Sequence, residues 1–185
     1  RTREAGLTLG GVVHAAWGVL LGRRTGRRDV VFGSTVAGRP AEVEGVDAMV
    51  GPLIATIPVR VRWSPAESLV DLAARLQREQ ADLLDHQQFG LPAIQRLAGG
   101  GELFDTLVVV ENYPAVGGLR DPGGTVEITG VEFREATHYP VTLLVSAADP
   151  VGLAIEYDPA RIAAPAVEQL AAGLSHLLTA LVAAF

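Results

Sequence analysis

A two-layer α/β sandwich built on a mixed sheet is the fold this sequence predicts, and three observations carry it. Stretches with apolar residues at three-and-four spacing, Leu9 to Leu21, Leu69 to Leu84 and Val167 to Val182, read as helices that each bury one face. Between them lie runs rich in Val, Ile and Thr, which suit a pleated, half-buried surface. Helices alternating with strands give parallel neighbours, whereas the turn residues Asp149-Pro150-Val151-Gly152 join the last two runs as an antiparallel hairpin.

The first helix follows Thr8, a candidate N-cap, and stops at Gly26. Its far end carries Arg23, Arg24, Arg27 and Arg28, which either complement the negative pole of the helix dipole or meet an acidic partner. Two long strands come next, Asp29 to Val36 and Met49 to Arg62. Gly38, Pro40, Gly45 and the acids Glu42, Glu44 and Asp47 break any periodicity between them, which makes an irregular excursion able to reach another surface.

Ser64-Pro65-Ala66-Glu67 reads as a capping box with Pro at the first helical position. The helix it opens has Leu69, Leu72, Leu76, Leu83 and Leu84 as its buried stripe, has Arg75, Arg78, Glu79, Asp82 and Asp85 on its wet side, and ends near His86. A short helix spans Leu91 to Ala98 and is stopped by Gly99-Gly100-Gly101. Phe104 to Glu111 is a near-continuous apolar run, the mark of a strand buried on both faces and central in the sheet. Pro114 to Gly124 is rich in Gly and Pro, and Thr125 to Glu135 alternates as a strand does. This arm reads as a lid, a mobile loop or a piece that packs on something else. Strands at Tyr139 to Ser146 and Leu153 to Tyr157 close the sheet. The last helix starts near Ala164, with Val167, Leu170, Leu174, Leu177, Leu178, Leu181, Val182 and Phe185 on its core face.

At 185 residues and 19.4 kDa the chain is sized as one domain or lobe. With 49% hydrophobic and 19% charged residues it lies far from the disordered regime, and no uninterrupted apolar run approaches the roughly 20 residues of a membrane span. Neither a membrane nor a secreted setting is expected. Having no Cys, it offers no disulfide framework, thiolate metal site or cysteine nucleophile. All 15 basic residues are Arg, and a net charge of −6 argues against nucleic acid as a partner. Arg1 is not a natural start, so the chain is expected to be part of something longer.

Reactive constellations are scarce. Gly33-Ser34-Thr35 does not sit in a G-x-S-x-G elbow, and Ser34 reads as a strand residue with no His or acid placed near it. Glu42 and Glu44 lie in a polar loop, where nothing shifts them toward acid–base work. No ligand spacing suggests a metal, and no glycine pattern suggests a phosphate cradle. His176, one residue off the apolar stripe of its helix, reads as structural or solvated.

One resemblance runs through the chain in order. Val30-Val31-Phe32-Gly33, Ala37-Gly38-Arg39-Pro40 and the stretch from Val50-Gly51-Pro52 through Thr56-Ile57-Pro58-Val59-Arg60 come first. His86-Gln87-Gln88-Phe89 with Ile94-Gln95-Arg96, Phe104-Asp105-Thr106-Leu107, Glu111-Asn112-Tyr113-Pro114 and His138-Tyr139-Pro140 follow. Together they resemble the condensation domains of nonribosomal peptide synthetases, in their second half. The resemblance implies a chloramphenicol acetyltransferase-like fold, with residues 1–185 as the C-terminal lobe and the N-terminal lobe absent. It also implies work in the cytoplasm of a peptide-making cell.

Such domains join an acyl or peptidyl thioester on one carrier protein to the amine of an aminoacyl group on the next. The expected partners are therefore the N-terminal lobe and the donor and acceptor carrier proteins. No cofactor is expected to bind directly, only the phosphopantetheine arms of those carriers. The family signature His-His-x-x-x-Asp-Gly is absent, since His14, His86, His138 and His176 are nowhere adjacent, so no catalytic residue is expected in this chain. By resemblance, Arg39, Gly51, Thr56, Asn112 and Tyr113 line the substrate channel or the lobe interface. Thr56, Asn112 and Tyr113 offer hydrogen-bonding groups suited to an amide-bearing arm.

Two departures stand out. Leu53-Ile54-Ala55-Thr56 replaces the usual Phe-Val-Asn-Thr, trading an Asn amide for the methyl of Ala55, and Gly90-Leu91-Pro92 replaces Pro-Leu-Glu. They keep a second reading in view, a condensation-like domain that recruits proteins without catalysis. An epimerase or free acyltransferase of the same fold suits the Val-Gly-Pro run less well.

Overall fold

The first helix, α1 (Leu9–Thr25), begins where expected: the Thr8 hydroxyl accepts the Gly11 N–H at 3.1 Å, and Gly26 ends it at φ 69°. In this computed structural model, which describes residues 5–39, 42–111, 137–147 and 150–184, every residue from Gly11 to Leu20 is buried. The sequence anticipates one apolar face, yet α1 is enclosed all round, as suits a helix apolar on every side. It lies on the first two strands, β1 (Asp29–Val36) and β2 (Ala55–Arg62), flanked by α2 (Leu69–Asp82) and α4 (Ala164–Ala183). Close approach to β2 depends on Gly18, where an added Cβ would stand 2.6–2.7 Å from the carbons of the Val61 side chain.

Three further strands, β3 (Thr106–Glu111), β4 (Val141–Ser146) and β5 (Gly152–Tyr157), complete a five-stranded sheet among the described residues, in the order β2-β1-β3-β4-β5. β1–β2 and β4–β5 are antiparallel, whereas β1–β3 and β3–β4 are parallel, so the sheet is mixed and β3 is central. Fastening is uneven: β1 and β2 share eight register pairs and β3 and β4 six, but β1 meets β3 only at Gly33↔Leu107 and Ser34↔Val108. Phe32, Val59, Val61, Val108, Leu143 and Val145 point toward the helices and form one core with Trp17, Leu72, Leu76, Leu174 and Leu181. On the other face, Phe104 covers Gly33, and its ring lies 5.5 Å from that of Tyr139.

Several boundaries differ from expectation. β2 starts at Ala55 rather than Met49, because its partner β1 ends at Val36, opposite Ala55, and Pro52 has no N–H to extend a ladder. The cap of α2 is Ser68, whose hydroxyl accepts the Asp71 N–H at 3.1 Å. Ser64 to Glu67 instead forms a turn, with Glu67 N–H on Ser64 O at 3.0 Å. Leu83 and Leu84 are exposed rather than buried, since α2 ends at Asp82 and a short 3₁₀ turn, Leu84–His86, breaks the period. The three glycines after α3 (Leu91–Leu97) do make a turn, all at positive φ. α4 is long and apolar enough to cross a membrane, but Leu174, Leu177 and Leu181 are spent on the core. Its Val182 is exposed, not buried. The arm from Pro114 to Glu135 and Phe185 lie outside the described residues.

Candidate functional site: a recess at the carboxyl ends of two parallel strands

Open α/β sheets place ligands outside the carboxyl ends of parallel strands. Here the ends of β1 and β3 border a recess of about 370 Å³, lined among others by Thr35, Arg39, Gly51, Ile54, Val109 and Glu111. That volume is within the range of small-molecule sites.

The wall is built by the excursion between β1 and β2. Gly38 has φ 59°, and a Cβ there would fall 1.8 Å from the Leu53 carbonyl oxygen, so the two arms of the excursion touch through this glycine. Next to it the Arg39 guanidinium donates to Val46 O and, at 3.1 Å, to Met49 O. An acid is the expected partner of such an arginine; two backbone carbonyls take its place and hold the short 3₁₀ turn Val46–Ala48. Gly51 is exposed, with nothing among the described residues within 4 Å of where a Cβ would stand. Thr56 is half-buried directly opposite Thr35, on the face away from α1. The structure thus gathers Arg39 and Gly51 at the recess with Thr56 beside it, while Asn112 and Tyr113 lie outside the described residues. Gly38→Ala is expected to cost about 2–4 kcal/mol, adding a backbone clash to the left-handed penalty. Gly45→Ala, also at positive φ but with open space, should cost about 1–2 kcal/mol. Urea unfolding of the two variants checks the difference.

Ser34 does have a histidine beside it. His14 Nε2 lies 3.0 Å from Ser34 Oγ, and Gln80 Nε2 lies 2.7 Å from His14 Nδ1, joining α1, β1 and α2 in the core. With the Gln80 amide donating to Nδ1, the ring proton sits on Nε2 and is donated to Ser34. The imidazole then keeps no free lone pair to take the serine proton, and Ser34 is itself only 3% exposed. Burial lowers the His14 pKa to about 4. The pair is structural, and the helical spacing of His14 on an apolar segment gave no hint that it would meet Ser34.

The other histidines do not converge. His86 is exposed, with its ring 6.1 Å from that of Phe89, His138 stacks on Tyr139 at 4.1 Å, and His176 is exposed on α4. Burial, with Glu102 behind it, raises the Tyr139 pKa. Among the described residues no three His, Asp or Glu group as a metal site would need. Arg60, opposite Val31 and outside the recess, makes a bidentate pair with Asp29, at 2.8 and 2.6 Å. Sequence reasoning missed Thr35, Val109 and Glu111. The available signal was Glu111 itself, a charge at the carboxyl end of a buried apolar strand.

Residues 2–184 match the family described as Condensation domain. A linear gramicidin synthase of Brevibacillus parabrevis is 35% identical over 182 residues, 97% of this chain but 4% of that protein. Vanchrobactin synthetase VabF of Vibrio anguillarum is 39% identical over 157 residues, 84% of this chain and 6% of that protein. The solved starter condensation domain of rhizomide synthetase superposes with TM-score 0.70 at 22% identity, over 95% of this chain and 41% of that one. A four-domain nonribosomal peptide synthetase bound to AMP and glycine superposes with TM-score 0.82 at 18% identity, over 98% and 15%. The shared architecture is the chloramphenicol acetyltransferase-like sandwich implied by the sequence motifs. A family match that runs nearly from end to end makes this chain a member of the condensation-domain family of nonribosomal peptide synthetases.

Proposed function

We propose that the chain is the C-terminal lobe of a peptide-bond-forming condensation domain, one wall of the tunnel in which a carrier-bound acyl donor meets a carrier-bound aminoacyl acceptor in the cytoplasm. The recess between β1 and β3 is the observation that carries this reading, joined by the 41% share of a solved condensation domain that the chain spans. The phosphopantetheine arms belong to the carriers and present the thioesters. Thr35 and Thr56 supply hydroxyls for the amides of such an arm, Gly51 leaves room for it, and Arg39 holds the rim in shape. Asn112 and Tyr113 follow Glu111 directly in the sequence. With His14 locked in the core, proton handling falls to the His-His-x-x-x-Asp-Gly motif of the N-terminal lobe.

Amide formation by the parent protein, loaded on both carriers, tests the reading. Gly51→Leu should leave folding unchanged, since its side chain meets open space, yet slow product formation about tenfold or more by displacing the arm. Ala55, half-buried at the start of β2 where the family has Asn, favours the second reading, a recruitment module. A folded parent that forms no amide and lacks the motif upstream of Arg1 would decide for it.

A further inference from the structure

We infer that the arginine corner at the end of α1 is a docking surface for a protein that presents clustered carboxylates. Arg23, Arg24, Arg27 and Arg28 fall within six residues of a chain whose net charge is −6, and all four are exposed. Arg62 joins them: the Trp63 N–H reaches the Arg28 carbonyl at 3.0 Å, which sets the end of β2 beside the start of β1.

Capping does not account for this gathering. Two carbonyls near the end of α1 are met by other groups than these guanidinium heads, Leu21 O by the Thr25 hydroxyl at 2.8 Å and Gly22 O by the Gly26 and Arg27 N–H groups. Arg24 is tied to α4 through Gln169, at 2.7 and 3.0 Å. The side chains of Arg23, Arg27 and Arg28 make no hydrogen bond or ion pair among the described residues. Of the nearby acids, Asp29 is paired with Arg60 and also attracts Arg62 from a distance, while Glu102 and Asp105 share a shallow recess with Arg27 without pairing to it. Like charges held together with no internal partner repel one another, and an external anion relieves that repulsion. The corner is small and its surroundings acidic, which suits a matching acidic protein patch better than a long polyanion that would meet the rest of the surface.

The test uses a short poly-glutamate peptide as probe, with binding read by fluorescence anisotropy at two salt concentrations. Wild type should bind it, more weakly at high salt. The variant Arg23→Glu, Arg27→Glu, Arg28→Glu should bind about tenfold more weakly or worse. A variant with the same charge change elsewhere, Arg78→Glu, Arg96→Glu, Arg161→Glu, should match wild type. Equal loss in both variants, or no binding by wild type, overturns the inference. So does tighter corner-dependent binding of phosphatidylserine vesicles or an oligothymidylate than of the peptide. Should the reversed variant melt early, Arg23→Gln, Arg27→Gln, Arg28→Gln carries the same comparison with a smaller drop.

Discussion

Trp17→Ala is expected to destabilise the protein by about 3–5 kcal/mol, read as a lower urea midpoint at unchanged slope. Trp17 is 0% exposed in the middle of α1, inside a core shared by helices and sheet. A cavity opened there has α2, α4 and two strands around it, and none can collapse without losing its own packing. Trp17→Phe sharpens the result. Among the described residues the indole N–H has no hydrogen-bond partner, so phenylalanine gives up volume but no bond, and should cost about 1–2 kcal/mol. Equal costs for the two variants would contradict the packing described.

Acid should act through His14. Its pKa is about 4 when folded against an ordinary 6.5. Between those values the unfolded chain takes up a proton that the folded chain refuses, so mild acid favours unfolding. Stability from this group is whole above about pH 6.5, declines through the window and levels off below about pH 4. The total is about 3 kcal/mol. His14→Gln keeps a donor and an acceptor but cannot titrate, so its unfolding free energy should lose this slope between pH 4 and 6.5. A slope that survives the substitution would assign the acid sensitivity elsewhere.

Much of the fold was legible because it rests on local chemistry. Thr8 and Gly26 bracket α1 through hydroxyl capping and left-handed backbone, both written in residue type. The apolar run at Phe104 to Glu111 announced a central strand, because only a strand covered on both faces has no need of alternation, and the strand itself begins two residues later, at Thr106. Where the reading failed, a distant partner decided. β2 could not be measured without knowing that β1 stops opposite Ala55. Ser64 and Ser68 both precede an acid three residues on, and only packing chose between them. Of the site, Arg39, Gly51 and Thr56 came through motif resemblance, whereas Thr35 and Val109 joined it through the pairing of β1 with β3, which no single stretch encodes.

The sparse pairing between β1 and β3 has a mechanical meaning. Two hairpin-bearing halves, β2-β1 on one side and β3-β4-β5 on the other, are stitched by a seam of two register pairs. The recess opens at the end of that seam, with Thr35 on one half and Val109 on the other. A load on the sheet is carried least well along that line, because fewer backbone bonds resist it there than between any other neighbouring strands described. The width of the recess is thus governed by the joint that yields first.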